Sequence, residues 1–522
     1  MKRNLLLTTL LSASVFTATF AQETVDQAMV QKIREEGLNH SQVMKTAFYL
    51  TDVSGPRLSG SPGLKHAQDW AVSQLKTWGL ANAGLESWGK FGKGWEVEKN
   101  YAAITVPYYH AIIAVPKAWT PSTAGPIKGD VVLIKADTIT DLDQYKGKLK
   151  GKIVITDTKT ALVRSTKPDL SRYTDEELEK MAAAQPAAAG DRRGGPQNSP
   201  AFAAMRKLRA LRTAMSEFFV QEEVGLVLSQ ARGTDGTVFT TNGASYAEDA
   251  KPVAPELETS GEDYLRIVRL LNGGINVQME ADVQTKFFTN DLNGYDVIAE
   301  IPGTDKKLKD QLVIIGGHFD SWHGGTGATD NAAGSAVMME AMRILKAVNF
   351  KPKRTIRIAL WSSEEQGLYG SRGYVANHFG DPKTMALKPE QAKVSAYYNL
   401  DNGTGKIRGV YLQGNQAVAP IFKSWLEPFK DLGASTLTIS NTGGTDHLSF
   451  DAVGIPGFQF IQEPMDYNTR THHSNQDTYD RLSEDDLKQA ATIVASFVYN
   501  TSQRPDMMPR KELPKPPPAP AN

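Results

Sequence analysis

The sequence predicts an α/β fold: a mixed, mostly parallel sheet sandwiched by helices, with an inserted smaller α+β lid domain. Three observations carry this. Residues 256–504 alternate short apolar, β-branched runs (276–285, 295–300, 312–315, 355–361, 394–400, 457–461) with helical stretches, the pattern of strands joined by crossover helices. Residues 120–255 differ in character, with short strands expected at 129–135, 152–156 and 224–228 and a helix at 201–222. Finally, 522 residues are too many for one small core, so two or three domains are expected.

In chain order, residues 1–21 read as a secretory signal: Lys2 and Arg3, an apolar stretch from Leu5 to Phe20, and small Ala21 before Gln22. The alternative is a membrane anchor, but the run is interrupted by Thr and Ser and nothing like it recurs. Export with cleavage, to the periplasm or outside, is the expectation, with no membrane contact afterwards. The absence of cysteine rules out disulfides, thiolate ligands and a cysteine nucleophile. Zero formal net charge, with no dominant basic cluster, points away from nucleic acid.

Residues 22–119 start with helical patterning at 25–38, 41–51 and 64–78, broken by the turn-rich segment 55–63, with aromatic-rich strands at 95–115. They are assigned to the N-terminal part of the main domain, 120–255 to the insert, and 256–504 to the catalytic domain. Within the insert, 182–200 is rich in Ala, Gly, Pro and Arg, the composition of a mobile loop. Residues 484–499 read as a closing helix, and 505–522 as a Pro-rich disordered tail.

The chemistry concentrates at strand ends. His318 and Asp320 follow the run 312–315, and Asp330 precedes a helical pattern at 331–348. Glu364 and Glu365 follow 355–361, Asp401 follows 394–400, and His473 sits in the loop 472–477. In α/β sheets, ligands collect outside the carboxyl ends of parallel strands. Two imidazoles and several carboxylates without a thiolate suit zinc, Mn²⁺ or Co²⁺. Singly, each has a plainer reading: a capping histidine, Asp330 as a helix N-cap, the glutamates as a solvated pair. Jointly, five such groups at successive strand ends would repel or go unsatisfied without cations between them. Adjacent glutamates at a strand exit point in different directions, so one can bind metal while the other faces a water.

With these pieces in view, the chain resembles the co-catalytic zinc exopeptidases, which include bacterial leucyl-type aminopeptidases, glutamate carboxypeptidase and carboxypeptidase Q. The carrying motifs are His318-Phe319-Asp320-Ser321, Gly327-Ala328-Thr329-Asp330-Asn331-Ala332-Ala333-Gly334, Ser363-Glu364-Glu365-Gln366-Gly367-Leu368-Tyr369-Gly370-Ser371, Asn399-Leu400-Asp401 and His473-Ser474-Asn475-Gln476-Asp477-Thr478. Gly55-Pro56-Arg57-Leu58-Ser59-Gly60-Ser61 resembles the family's N-terminal part, and the middle region a protease-associated domain. The resemblance implies a phosphorylase/hydrolase-like fold and two zinc ions per chain. Asp330 would bridge them, with His318 and Asp401 on one site and Glu365 and His473 on the other. Glu364 would be the general base. Asp320 fits a partner for the free ring nitrogen of His318, or else a turn residue.

Where some relatives carry a Tyr before the last histidine, this chain has His472, expected to donate to the developing oxyanion. Asp446 and His447 resemble a segment lining the site, either contacting substrate or packing their loop. Arg470, Arg372 and Arg408 lie near the motifs and could hold a substrate carboxylate or form surface ion pairs. The expected activity is hydrolysis of terminal peptide bonds in short peptides or dipeptides, as an aminopeptidase or a carboxypeptidase Q-like dipeptidase. Alternatives are a single-zinc glutaminyl cyclase and a non-catalytic receptor-like module. The lid would restrict access to small peptides or serve a homodimer.

Overall fold

The computed structural model describes residues 23–157, 160–186 and 200–515. The signal-like segment, most of the 182–200 run and the end of the Pro-rich tail lie outside the described residues.

The main sheet has eight strands, and its centre is parallel. Thr355–Trp361, Leu312–His318, Val394–Asn399 and Gly457–Gln462 run side by side in one direction. Asn293–Ile301 and then Ala81–Lys90 extend one flank antiparallel. Ile407–Tyr411 and Thr436–Thr438 extend the other. Period-two side-chain alternation makes this a sandwiched layer. Val313 and Ile315 face one core with the helices Ala333–Ala347 and Glu484–Gln503, while Ile314 faces a second with Tyr374, Val375 and Phe450. Both faces are covered, so the parallel strands are apolar throughout, as their sequences read.

The carboxyl ends of the parallel strands thus open onto one edge of the layer, and the ligand candidates emerge there. Helix Ala333–Ala347 starts unusually close to that edge. A Cβ at Gly334 would lie 2.2 Å from the Leu400 carbonyl, so only glycine lets the helix seat against the strand that delivers Asp401. The N-cap reading of Asp330 does not hold. The backbone at Asp330 and Asn331 is non-helical, the helix begins at Ala333, and Ala332 holds the cap position.

A second eight-stranded sheet is built from His110–Ala111, Gly94–Val106, Gln278–Phe288, Ile127–Ile134, Ile153–Thr156, Leu226–Gln230, Glu256–Thr259 and Ala114–Pro116, in that spatial order. The helix Gly261–Asn272 packs on one face and Phe218 and Phe219 of Pro200–Gln221 on the other. This corrects the expected grouping of two segments. The strand expected at 276–285 is not in the catalytic sheet: Gln278–Phe288 pairs antiparallel with Gly94–Val106 along the second sheet. Those aromatic-rich strands at 95–115 belong to the second sheet too. Periodicity identifies a strand but carries no information about which sheet it joins.

The tail is also corrected in part. Residues 505–511 are fastened to the main body: Met508 is buried and Arg510 donates to the carbonyls of Gln391, Val394 and Gly454. Proline prevents regular structure there without preventing docking of the intervening side chains.

Among the described residues, no helix is long and apolar enough to cross a membrane.

Candidate metal centre

Asp330 is the centre of the site. Its Oδ1 lies 3.3 Å from His318 Nε2, and its Oδ2 lies 3.3 Å from His473 Nε2. On the first side, His318 Nε2 is also 3.1 Å from Asp401 Oδ1. On the second, His473 Nε2 is 2.8 Å from Glu365 Oε2. All the residues expected to bind metal therefore converge, in two half-sites that share one carboxylate.

His318, Glu365 and Asp401 come from strand exits, and Asp330 and His473 from loops. His318 ends its strand with its ring buried, and its Nδ1 lies 3.0 Å from the Asp320 carbonyl and 3.6 Å from the Asp320 carboxylate. Asp320 does more than the expected partnering of that ring. Its carboxylate accepts the backbone N–H of Glu364 at 3.1 Å and of Glu365 at 3.4 Å, and the Ser59 hydroxyl at 3.1 Å. One buried carboxylate thus fixes the exit of the neighbouring strand, where the two glutamates part.

The charge balance shows what the cluster is suited to hold. Burial, followed by neighbouring carboxylates, pushes Glu365 well above its ordinary range. Burial also raises Glu364, with His318 opposing and Asp401 and Asp446 reinforcing. For His318, burial disfavours the proton, yet Asp401, Glu364, Asp320 and Asp330 outweigh it and hold the ring well above its usual value. Two buried oxygens, Asp330 Oδ2 and Glu365 Oε1, accept no hydrogen bond, although burying a carboxylate oxygen unpaired is costly. Orphaned acceptors, two imidazoles and carboxylates without a thiolate fit zinc. His318, Asp330 and Asp401 present ligand atoms close enough to share one ion, and so do Asp330, His472 and His473.

His472 is 40% exposed at its side chain, with Nε2 4.0 Å from Asp330 Oδ2 and its ring 3.7 Å from that of His473. Burial lowers its pKa.

Residues 296–498 match the model of peptidase family M28. That stretch contains His318, Asp330, Glu364, Glu365, Asp401 and His473. Carboxypeptidase Q of Mus musculus is 24% identical to it over 504 residues, covering 93% of this chain and 94% of that one. A peptidase M28 precursor from Shewanella amazonensis SB2B shares the fold at a TM-score of 0.64 and 23% identity, covering 94% and 99% of the two chains. A zinc aminopeptidase from Bacillus subtilis does so at 0.53 and 19%, covering 88% and 94%.

Asp446 and His447 require correction as substrate contacts. Both are fully buried. His447 Nε2 lies 2.8 Å from Gln413 Nε2 and 3.2 Å from the Thr442 carbonyl, so it packs its loop behind the site. Burial raises Asp446 to about 7 and lowers His447 to about 4. Arg470 is likewise engaged within the chain, by Thr234, Thr237, Asp169 and Asp235 of the insert. Arg408 is held by Glu463 and the Gly433 carbonyl.

Three site residues were not apparent from the sequence. Tyr467 donates to Asp330 Oδ1 at 2.9 Å. Asp477 accepts the backbone N–H of Thr329 at 2.6 Å and of Asp330 at 3.1 Å. Arg57 is fully buried and donates to the carbonyls of Leu50, Phe319, Thr326 and Gly327. It pins both ends of the loop between His318 and Asp330. Gly327 lies at its tip with φ 63° and no room for a side chain beside Ser321 and Arg57. The signal for Asp477 and Arg57 was membership of quoted motifs; for Tyr467 there was none.

Proposed function

We propose that this metallo-exopeptidase holds two zinc ions and removes the terminal residue of dipeptides and short peptides. The observation that carries the reading is Asp330 standing between His318–Asp401 and His473–Glu365 at distances that let one carboxylate serve both. When bound, the zinc pair would polarise the scissile carbonyl and acidify the attacking water.

The chain's own groups then do the proton work. Glu364, held at a strand exit and raised in pKa by burial, takes a proton from the water as its oxygen attacks the carbonyl carbon. As the C–N bond breaks, Glu364 returns that proton to the leaving nitrogen. His472, partly exposed and kept neutral, donates to the carbonyl oxygen while negative charge builds there. Asp320 keeps Glu364 and Glu365 apart in their two roles.

The terminal group recognised is the free amine. Arg470 and Arg408, two of the cations near the motifs, are already engaged within the chain and are not free to hold a substrate carboxylate. The second sheet acts as a lid, limiting the site to small peptides. Residues 1–21 direct export and are removed.

The test is zinc content per chain by elemental analysis, paired with hydrolysis of a dipeptide and its N-blocked form. Two zincs with cleavage of only the free-amine substrate support the reading. Cleavage of the blocked form moves specificity to the carboxyl side. One zinc per fully active chain refutes the two-metal assignment.

A further inference from the structure

The loop that delivers His473 is held from outside the main domain. His473 adopts φ 60°, the left-handed region that a residue with a Cβ rarely enters unaided. Its carbonyl accepts two hydrogen bonds from one residue of the insert: Thr240 N–H at 2.7 Å and Thr240 Oγ1–H at 2.9 Å. The next residues continue the seam. Phe239 pairs with Ser474 as an antiparallel bridge. Asn475 N–H donates to the Val238 carbonyl at 3.0 Å, and Asn475 Oδ1 accepts Val238 N–H at 2.8 Å. On the other side of the histidines, Arg470 is gripped by Asp169 and Asp235 from separate insert segments.

Among the described residues, His318, Glu365 and Asp401 make no such hydrogen bonds to the insert, and Asp330 meets this loop through Asp477. They sit on strand ends and loops of the main sheet, fixed by Asp320, Arg57 and Asp477. The two half-sites therefore differ in origin: one is complete within the main domain, while the other needs a loop shaped by residues 234–240.

From this we infer that the insert is an assembly element of the metal centre. Thr240 and Asn475 are positioning residues for His473, and docking of the insert sets the affinity of the His473–Glu365 half-site without setting that of the His318–Asp401 half-site. The inference rests on the two-zinc reading above. It gives the insert a role that an access-limiting lid would not have, because metal binding itself, with no substrate present, depends on the seam.

The experiment is zinc titration of the metal-stripped full chain by calorimetry, which separates binding steps and needs no turnover. Wild type should show two steps. Thr240→Val removes the hydroxyl donor, and Asn475→Ala breaks the seam at a different bond. Each should weaken one step by about 10- to 100-fold, the usual effect of losing a partner that orients a ligand, and leave the other in place. Thr240→Ser should restore the wild-type curve. Tyr246→Phe is the control: it releases the 3.0 Å Tyr246–Tyr369 hydrogen bond elsewhere between insert and main domain, and both steps should stay put. Two unchanged steps in both variants would overturn the inference, as would equal weakening of both steps. A single step in wild type would instead refute the two-zinc reading, before any variant is compared.

Discussion

Asp477 accepts the backbone N–H of Asp330 at 3.1 Å, so a residue four positions past His473 fixes the carboxylate shared by both half-sites. The same carboxylate holds Thr329 N–H at 2.6 Å. Removing it leaves two buried N–H groups without acceptors and frees the turn that aims Asp330. In Asp477→Ala, both zinc-binding steps should weaken together, by about 10- to 100-fold, in contrast to the one-step effect expected for Thr240→Val. Competition against a zinc chelator measures this. Wild-type affinity in the variant would show that Asp330 is aimed by its own loop alone.

Glu364 and Glu365 are adjacent but separable. Glu365 Oε2 meets His473 at 2.8 Å, whereas among the described residues Glu364 forms no ion pair with either histidine. Glu364→Gln keeps the shape and removes the base. It should lower kcat by about 10²- to 10⁴-fold, the usual contribution of a positioned general base, with zinc content unchanged. Loss of a zinc in that variant would make Glu364 a ligand instead.

Much of this candidate centre was legible because His318, Glu365 and Asp401 lie at or just after the ends of strands whose apolar runs are visible in sequence, and the topology collects strand ends on one edge. What escaped has a different physical basis. Arg57 acts on four backbone carbonyls, groups that every residue carries, so no side-chain pattern marks its partners. Tyr467 reaches Asp330 across 137 positions of sequence from a segment without regular periodicity. The strand Gln278–Phe288 shows its period in sequence but not its partner, because Gly94–Val106 is supplied from a distant part of the chain. The His473 loop carries its motif in plain view, while the Thr240 contact that shapes it is purely tertiary.

Arg57 offers the strongest stability prediction. Its guanidinium is fully buried, its pKa is drawn down to about 10 by burial, and it donates to the carbonyls of Phe319, Thr326 and Gly327 in the loop between His318 and Asp330 and to that of Leu50. A lysine has three donors on a flexible stem and cannot reproduce the planar fork. Arg57→Lys should lose about 2 kcal/mol or more, since each buried carbonyl left unpaired costs about 1–3 kcal/mol. Urea denaturation of the metal-stripped chain measures this without a contribution from zinc. A midpoint equal to wild type would mean that the substituted ammonium group satisfies all four carbonyls, or that water does.

His447 tests whether the segment beside Asp446 packs its loop or meets substrate. Burial holds the ring at about 4, against an ordinary value near 6.5. Between those values the unfolded chain binds a proton that the folded chain refuses, so this residue's stability contribution is complete above about pH 6.5 and is lost as pH falls towards 4. Between pH 6.5 and 5 the loss amounts to about 2 kcal/mol at 1.36 kcal/mol per pH unit. His447→Gln cannot titrate. Its unfolding midpoint should therefore fall less than wild type's over that interval, with KM for a dipeptide at neutral pH unchanged. Parallel pH profiles would show that the ring is solvated in the folded chain, and a raised KM would return His447 to the substrate's contacts.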